Sequence, residues 1–421
     1  MMIAPRPIAI YVHVPFCQAR CSYCDFNTYA GLVHLIPDYT AAVRRELHIS
    51  SSRWGALQVA TVYFGGGTPS LLPASEIGAM LETIASAFNL TPDAEITLEA
   101  NPGTITAPYL HSLHKLGVNR LSLGVQSAQD SELKLLGRIH TWATAVAAIQ
   151  NIRTAGFDNL SLDLIFGLPE QSLDQWQHTL ERVLVYQPEH LSLYALSIEP
   201  DTPLECKIHS GSLPTPDDDT AADMYELAES TLAQAGYFHY EISNWARCDS
   251  SFRCNLSETE WWPNSMPLAR RRPLDRHSFD IGRSERISQY VSHHNLTYWR
   301  NSAWIGAGAG AHSWISPTRW SNELHPQAYI AAIRSRQSAV TELEHIDTRL
   351  EMGETMMMGL RLAEGVSDEQ FSTRFSVHLV DACGAEISTL QRQGLLLWDG
   401  CSVRLTAQGR LLGNQVFARF L

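Results

Sequence analysis

Three cysteines fall within eight positions near the start of the chain: Cys17, Cys21 and Cys24, spaced C-x3-C-x2-C inside "YVHVPFCQARCSYCDFNTYAG". Thiolates are the usual ligands of iron–sulfur clusters, and a cubane has four irons. Three ligands leave one iron open, and an open position marks a metal that does chemistry rather than holding structure. A sulfonium compound that chelates through its amino and carboxylate groups fits that position. The spacing alone leaves one alternative open, a zinc site completed by a distant His or Cys.

Further candidates lie along the chain. The glycines of "GGGTP", Gly65 to Pro69, let backbone approach a ligand closely. Glu99, in "LEANPGT", is a carboxylate able to accept from both ribose hydroxyls of a nucleoside. In "HNLTYW", His294 stands beside an aromatic pair, Tyr298 and Trp299, which taken alone reads as a packed loop.

These residues need elements to hold them. Six β-rich stretches occur in the first half, "IAIYVHV" from Ile8, "TVYF" from Thr61, "EITLEAN" from Glu95, "NRLSLGVQ" from Asn119, "NLSLDLIFGLP" from Asn159 and "HLSLYALSI" from His190. Helical patterns lie between most of them, with Asp or Ser near their starts as caps. Strand followed by helix, repeated, predicts an α/β fold with a parallel sheet, here an open or partial (β/α)6 barrel over residues 1–240. Working residues of such barrels sit where strands end, and the cysteines, the glycines and Glu99 all do. Residues 241–345 form an irregular connecting region. Residues 346–421 follow the order of a winged-helix-like domain: helices, then two strands around the turn in "GLLLWDGCSVRL". The methionines Met356 to Met358 fall in one of its helices and read as core.

The 421-residue chain is 45% hydrophobic with a formal net charge of -13, an ordinary packed composition that argues against a nucleic-acid partner. Its C-terminal 76 residues hold seven Arg, no Lys and nine acids, so the winged-helix order is not read as DNA binding. The apolar runs are short and no signal peptide is visible, which predicts a cytoplasmic protein without membrane insertion. The other five cysteines, Cys206, Cys248, Cys254, Cys383 and Cys401, are scattered, unlike a disulfide framework.

The cysteine motif closing a first βα loop resembles the radical S-adenosylmethionine (SAM) superfamily. Pro15, Tyr23, Asp25 and Phe26 agree with the same pattern. Within it, the chain is similar to the group of oxygen-independent coproporphyrinogen III oxidase and its haem-chaperone (HemW) branch, over nearly the whole length. The resemblance implies a [4Fe-4S] cluster on Cys17, Cys21 and Cys24, with SAM at the open iron. It also implies SAM contacts from Tyr11, Tyr23, Gly66, Gly67, Thr68 and Glu99. Gln126, Arg138 and Asp163 match oxidase positions around a second SAM, where Arg meets a carboxylate and Asp an amine. An Arg138–Asp163 ion pair inside the barrel is the alternative for those two.

The oxidase and the chaperone differ in readable ways. The oxidase carries a further cysteine where Phe26 stands, and an N-terminal extension; the chaperone carries H-N-x-x-Y-W, matched by His294 to Trp299. The chaperone pattern also sets a cysteine just before that histidine, whereas here residues 255–293, polar and weakly periodic, separate Cys254 from His294. They read as a disordered insertion that could bring Trp261, Trp262 or His277 over a pocket, with Arg270, Arg271 and Arg272 a solvated run. The reading is therefore a haem chaperone, with haem on His294, haem-acceptor proteins such as respiratory enzymes, and an electron donor for the cluster. The oxidase is the alternative. Whether SAM is cleaved and whether the chain forms a homodimer are left open.

Overall fold

The computed structural model describes residues 7–55, 57–248 and 289–421, and its first half repeats a strand followed by a helix. The strands are β1 (Ile8–Val14), β2 (Gln58–Gly66), β3 (Asn89–Ala100), β4 (Arg120–Gln126), β5 (Leu160–Phe166) and β6 (His190–Ala195). They pair in chain order, all parallel, so each expected stretch is a strand of the expected sheet. The helices between them are α1 (Ile36–Trp54), α2 (Ala74–Ala87), α3 (Ala107–Lys115), α4 (Trp142–Thr154) and α5 (Leu173–Leu184). A capping box on Ser172 and Gln175 starts α5. Helix α1 departs from expectation: Leu35 is its N-cap, and Asp38 lies in the first turn, where a carboxylate favours the helix dipole.

Side chains of a strand alternate between faces, so register decides which residues share one. Tyr11 lies beside Tyr63, Tyr63 beside Thr97, Thr97 beside Arg120, Glu99 beside Ser122, Ser122 beside Ser161, and Asp163 beside Ser192. This face is mostly polar, with Ala9 and Ile165 as apolar members. The alternate face carries Ile10, Phe64, Leu98, Leu123, Leu162 and Leu193, all buried. Helix residues such as Val43, Ile77, Leu110, Ile149 and Trp176 are buried too, and an apolar helix stripe needs an apolar sheet face beneath it. The polar face therefore lines the inside of the partial barrel.

Residues 302–345 form one compact unit with Met1–Ala228. Here β7 (Trp304–Ala307) runs parallel to β1, and β8 (His312–Ile315), β9 (Thr318–Asn322) and β10 (Val340–His345) extend the edge antiparallel. The connecting region expected over 241–345 is thus divided, because its second half pairs with the β1 edge. The other unit is Glu229–Asn301 with Ile346–Leu421. It holds a hairpin of Tyr237–Glu241 and Asn244–Arg247, a helix at His293–Trp299, and the C-terminal segment. That segment has helices Thr348–Gly359, Asp368–Phe375 and Leu379–Arg392 and a three-stranded antiparallel sheet, the helix-and-wing order expected. Met356 is fully buried there and Met357 packs against the same core.

A buried carboxylate ties α1 to the Gly-rich segment after β7. Glu46 accepts from Gly308 N–H at 2.8 Å, Asn322 Nδ2 at 2.6 Å and the Tyr329 hydroxyl at 2.5 Å. Nearby, the Tyr39 hydroxyl donates to the His13 carbonyl at 2.8 Å and accepts from Ala309 N–H at 2.8 Å. Burial pushes the Glu46 carboxyl from 4.5 up to about 7, against the pull of its three donors. The folded protein thus binds more protons than the unfolded chain between those values, and stability falls as pH rises through them, by about 1.4 kcal/mol per pKa unit. Glu46→Gln removes that term, so its melting temperature relative to wild type should climb between about pH 5 and pH 8. Differential scanning calorimetry showing a pH-independent difference would contradict this assignment.

Candidate cofactor site

The cysteine loop leaves β1 and is clamped at several points. Ser22 N–H donates to the Leu136 carbonyl at 3.0 Å, Ser22 Oγ to the Leu135 carbonyl at 2.8 Å, and Leu204 N–H to the Ser22 carbonyl at 2.8 Å. Cys17 is buried, Cys21 and Cys24 are half-buried, and all three are free thiols. Each sulfur has a polar neighbour. Thr68 Oγ1 donates to Cys17 Sγ at 3.6 Å, Arg138 Nη1 to Cys21 Sγ at 3.3 Å, and Thr28 Oγ1 lies 4.0 Å from Cys24 Sγ. Burial raises the Cys17 and Cys24 thiols, and nearby cysteines add to the effect, Cys24 and Cys21 at Cys17 and Cys21 at Cys24. Among the described residues, no three His, Cys, Asp or Glu side chains converge to hold a single metal ion. In a cubane each thiolate meets a different iron, so the three sulfurs need not converge on one point.

The Gly65–Pro69 turn is shaped by what surrounds it. Gly66 has a φ of +117°, and a Cβ there would lie 2.6 Å from the His13 ring. A Cβ at Gly67 would lie 2.8 Å from the Phe16 carbonyl oxygen and 3.0 Å from Cys17 Sγ, so only glycine lets this turn lie against the cysteine loop. Glu99, half-buried at the end of β3, accepts from the Tyr63 hydroxyl at 2.8 Å and from Gly66 N–H at 3.1 Å. Burial, helped by Asp163, pushes its carboxyl up to about 7.

Arg138 joins these parts. Its Nη2 donates to Asn101 Oδ1 and, at 2.9 Å, to the Gly124 carbonyl. Asn101 Nδ2 donates in turn to Thr68 Oγ1 at 3.0 Å. A continuous chain thus runs from Cys17 through Thr68, Asn101 and Arg138 to Cys21. Gln126, with a φ of +68°, brings its Nε2 to the same place, because a Cβ on Gly124 would meet Gln126 Nε2, Asn101 Oδ1 and Arg138 Nη2. Sequence reasoning missed Asn101. The available signal was its position directly after a strand end that already carries Glu99.

The remaining candidates are spread more widely. Tyr11 bonds His13 Nδ1 at 2.9 Å and stacks beside Tyr63. Tyr23 packs with Leu136, Ile165 and Leu168, and burial raises its hydroxyl while Arg138 opposes the shift. Asp163 accepts from Ser122 at 2.9 and 3.1 Å and from Ser161 at 3.3 Å. The alternative of an Arg138–Asp163 ion pair is therefore not realised: Arg138 turns to the cysteine loop and Asp163 to serines. His294 belongs to the other unit. It is 1% exposed, its Nε2 lies 3.0 Å from the Tyr298 hydroxyl, and Trp299 lies under the Arg361 guanidinium. Cys254, Trp261, Trp262, Arg270, Arg271, Arg272 and His277, with the expected insertion up to residue 288, lie outside the described residues.

The donor set fits an iron–sulfur cluster: three free thiols, hydroxyl and guanidinium donors toward sulfur, and a glycine turn pressed on the loop. Comparison with known proteins agrees. Residues 11–183 match the radical SAM superfamily and residues 347–412 the HemN C-terminal domain. The chain is 32% identical to the heme chaperone HemW of Bacillus subtilis over 98% of both chains. It is 33% identical to the heme chaperone HemW of Mycobacterium tuberculosis, over 99% of this chain and 95% of the relative. It is 34% identical to the mitochondrial radical S-adenosyl methionine domain-containing protein 1 of Bos taurus, over 95% of this chain and 84% of the relative. In fold it resembles the coproporphyrinogen III oxidase HemN of Escherichia coli, with a TM-score of 0.79 and 23% identity over 99% of this chain and 90% of that one.

Cys21→Ala should abolish cluster incorporation on anaerobic reconstitution, measured as iron and sulfide per chain. Gly67→Ala, by crowding Cys17 Sγ, should lower incorporation at least severalfold in folded protein. Wild-type iron and sulfide in either variant would refute the placement of the cluster.

Proposed function

Because the chain belongs to the HemW family of the radical SAM superfamily, we propose that it is a haem chaperone, binding haem and a SAM-coordinated [4Fe-4S] cluster and passing the haem to acceptor proteins. The observation that carries this reading is similarity at 32% to 33% identity along essentially the whole chain to proteins named as heme chaperones. The oxidase shares the fold at 23% identity, and the position of its additional cysteine is taken here by Phe26, 63% exposed to solvent.

Cys17, Cys21 and Cys24 would hold the cluster, which when bound supplies an electron to the sulfonium of SAM. The protein's own residues do the rest. Gly66, with Gly67 and Thr68, would bind the amino end of SAM, while Gly66 gives its own N–H to Glu99. Glu99 would accept from the ribose hydroxyls, and Tyr11 and Tyr23 would flank the ligand. Gln126, Arg138 and Asp163 offer a donor, a cation and an acceptor to SAM; Arg138 also holds Cys21 through its other amine. His294 would bind haem iron, and Tyr298 and Trp299 follow it on the same short helix.

The acceptors and the electron donor follow from this reading, as does a cytoplasmic site of action. Among the described residues no helix is long and apolar enough to cross a membrane.

Anaerobic incubation of the reconstituted, reduced protein with SAM and coproporphyrinogen III should leave that substrate unchanged; loss of its two propionate carboxyls by mass spectrometry would make the protein the oxidase. His294→Ala should weaken haem binding at least about tenfold with cluster absorbance unchanged. Since the Tyr298 hydroxyl occupies His294 Nε2, and such a bond is worth about 1 kcal/mol, Tyr298→Phe should retain haem or bind it severalfold more tightly. Unaltered haem titrations in the His294 variant would remove it as ligand.

A further inference from the structure

The barrel face that carries Glu99 and Asp163 also carries a cation with no assigned role. Arg120 opens β4, is 2% exposed, and pairs in register with Thr97, which lies one alternation below Glu99 on β3. Its neighbour on the same face is Ser122, whose hydroxyl donates to both Asp163 oxygens. Among the described residues, the Arg120 Nε finds no hydrogen-bond partner. Glu99 is bonded instead to Tyr63 and Gly66, and Asp163 to serines.

We propose that Arg120 is a positioning residue of the SAM pocket: from the barrel floor its charge keeps Glu99 and Asp163 both available as acceptors for hydroxyl and amine groups bound at the rim. This rests on reading those two carboxylates as SAM ligands. Two carboxylates in one water-poor space repel, and one of them takes up a proton unless a cation offsets the pair. A guanidinium keeps its charge throughout the physiological range, and placed below the carboxylates it leaves their oxygens to the ligand.

The other titratable groups on this face do not serve that purpose. They are Tyr11 and His13 on β1, Tyr63 on β2, Glu95 lower on β3, and His190 and Tyr194 on β6; burial lowers the His13 imidazole. His190 is fully buried against Ser161 at 2.8 Å, and burial, reinforced by Arg120, keeps it neutral. Arg138 is engaged by Cys21, Asn101 and Gly124. Burial pushes both Glu99 and Asp163 upward, and Arg120 opposes the shift at each.

The test is equilibrium binding of SAM to the reconstituted full chain, followed calorimetrically from about pH 6 to pH 9. In wild type, affinity should fall on the acid side as the carboxylates take up protons. Arg120→Gln should move that fall upward by about one pKa unit, so that affinity near pH 7 drops about tenfold while affinity near pH 9 is nearly kept. Arg120→Lys, which retains the charge, should keep the wild-type profile. Loss by one factor at every pH in Arg120→Gln, or no loss, overturns the proposal. A flat wild-type profile overturns it even if Arg120→Gln does not fold. Wild-type SAM binding by Glu99→Gln and Asp163→Asn would instead refute the reading of the site; if they lose SAM while Arg120→Gln keeps the wild-type profile, only the role of Arg120 fails.

Discussion

Six parallel strands place leucine, isoleucine, valine and phenylalanine on the face beneath the helices, and arginine, glutamate, aspartate, serine and tyrosine on the other. In a closed (β/α)8 barrel the inner face is a packed apolar core. Here each strand from β1 to β6 puts polar side chains on the inner face, with Ala9 and Ile165 among them, so the interior is not an apolar core and stability must come mainly from the layer between sheet and helices. What remains inside is a surface of hydrogen-bonding groups in fixed register, suited to a polar ligand. The site depends on this inversion, because it puts Tyr63, Glu99, Ser122, Asp163 and Arg120 in one space.

Onto that interior the loops at the strand ends add a second polar layer. The chain from Cys17 through Thr68, Asn101 and Arg138 to Cys21 draws on the loops after β1, β2, β3 and β4. No single loop could hold the sulfurs in place by itself. The loops are fixed because each gives a side chain to the next, and the glycines at 66, 67 and 124 leave room for that approach. Glu46 and Tyr39 do the same work on the opposite side of the cysteine loop, binding α1 to the segment after β7. A cluster seated there would be held by donors as well as by ligands, and donors to sulfur are among the means by which a protein sets a reduction potential.

Much of this was legible in the sequence. The β-rich stretches, "RLSLGVQ", "LSLDLIF" and "HLSLYA" among them, read as strands, and the strand–helix repeat predicted their parallel order. The three cysteines were found by their spacing, and Gly66, Gly67 and Glu99 because each lies at the end of an expected strand. Asn101 was missed although it directly follows the strand end that carries Glu99, because its role arises from Thr68 and Arg138, which are remote in sequence and meet only in the fold. Arg138 was identified, but its partner was not, since periodicity cannot say which way a long side chain turns once its loop is built. Residues 302–345 were expected to be irregular because their strands are short, and only pairing with β1 and with one another makes them a sheet. His294 was recognised by its motif, yet its burial against Tyr298 could not be read from spacing.

The central claim is that three cysteines hold a cubane whose fourth iron is taken by SAM. Electron–nuclear double resonance on the reduced, reconstituted protein with SAM labelled by 15N at its amino group and 17O at its carboxylate measures that contact directly. Hyperfine coupling from both labels to the cluster is the predicted result. A cluster signal that carries neither coupling, and is unchanged when SAM is added, would contradict it.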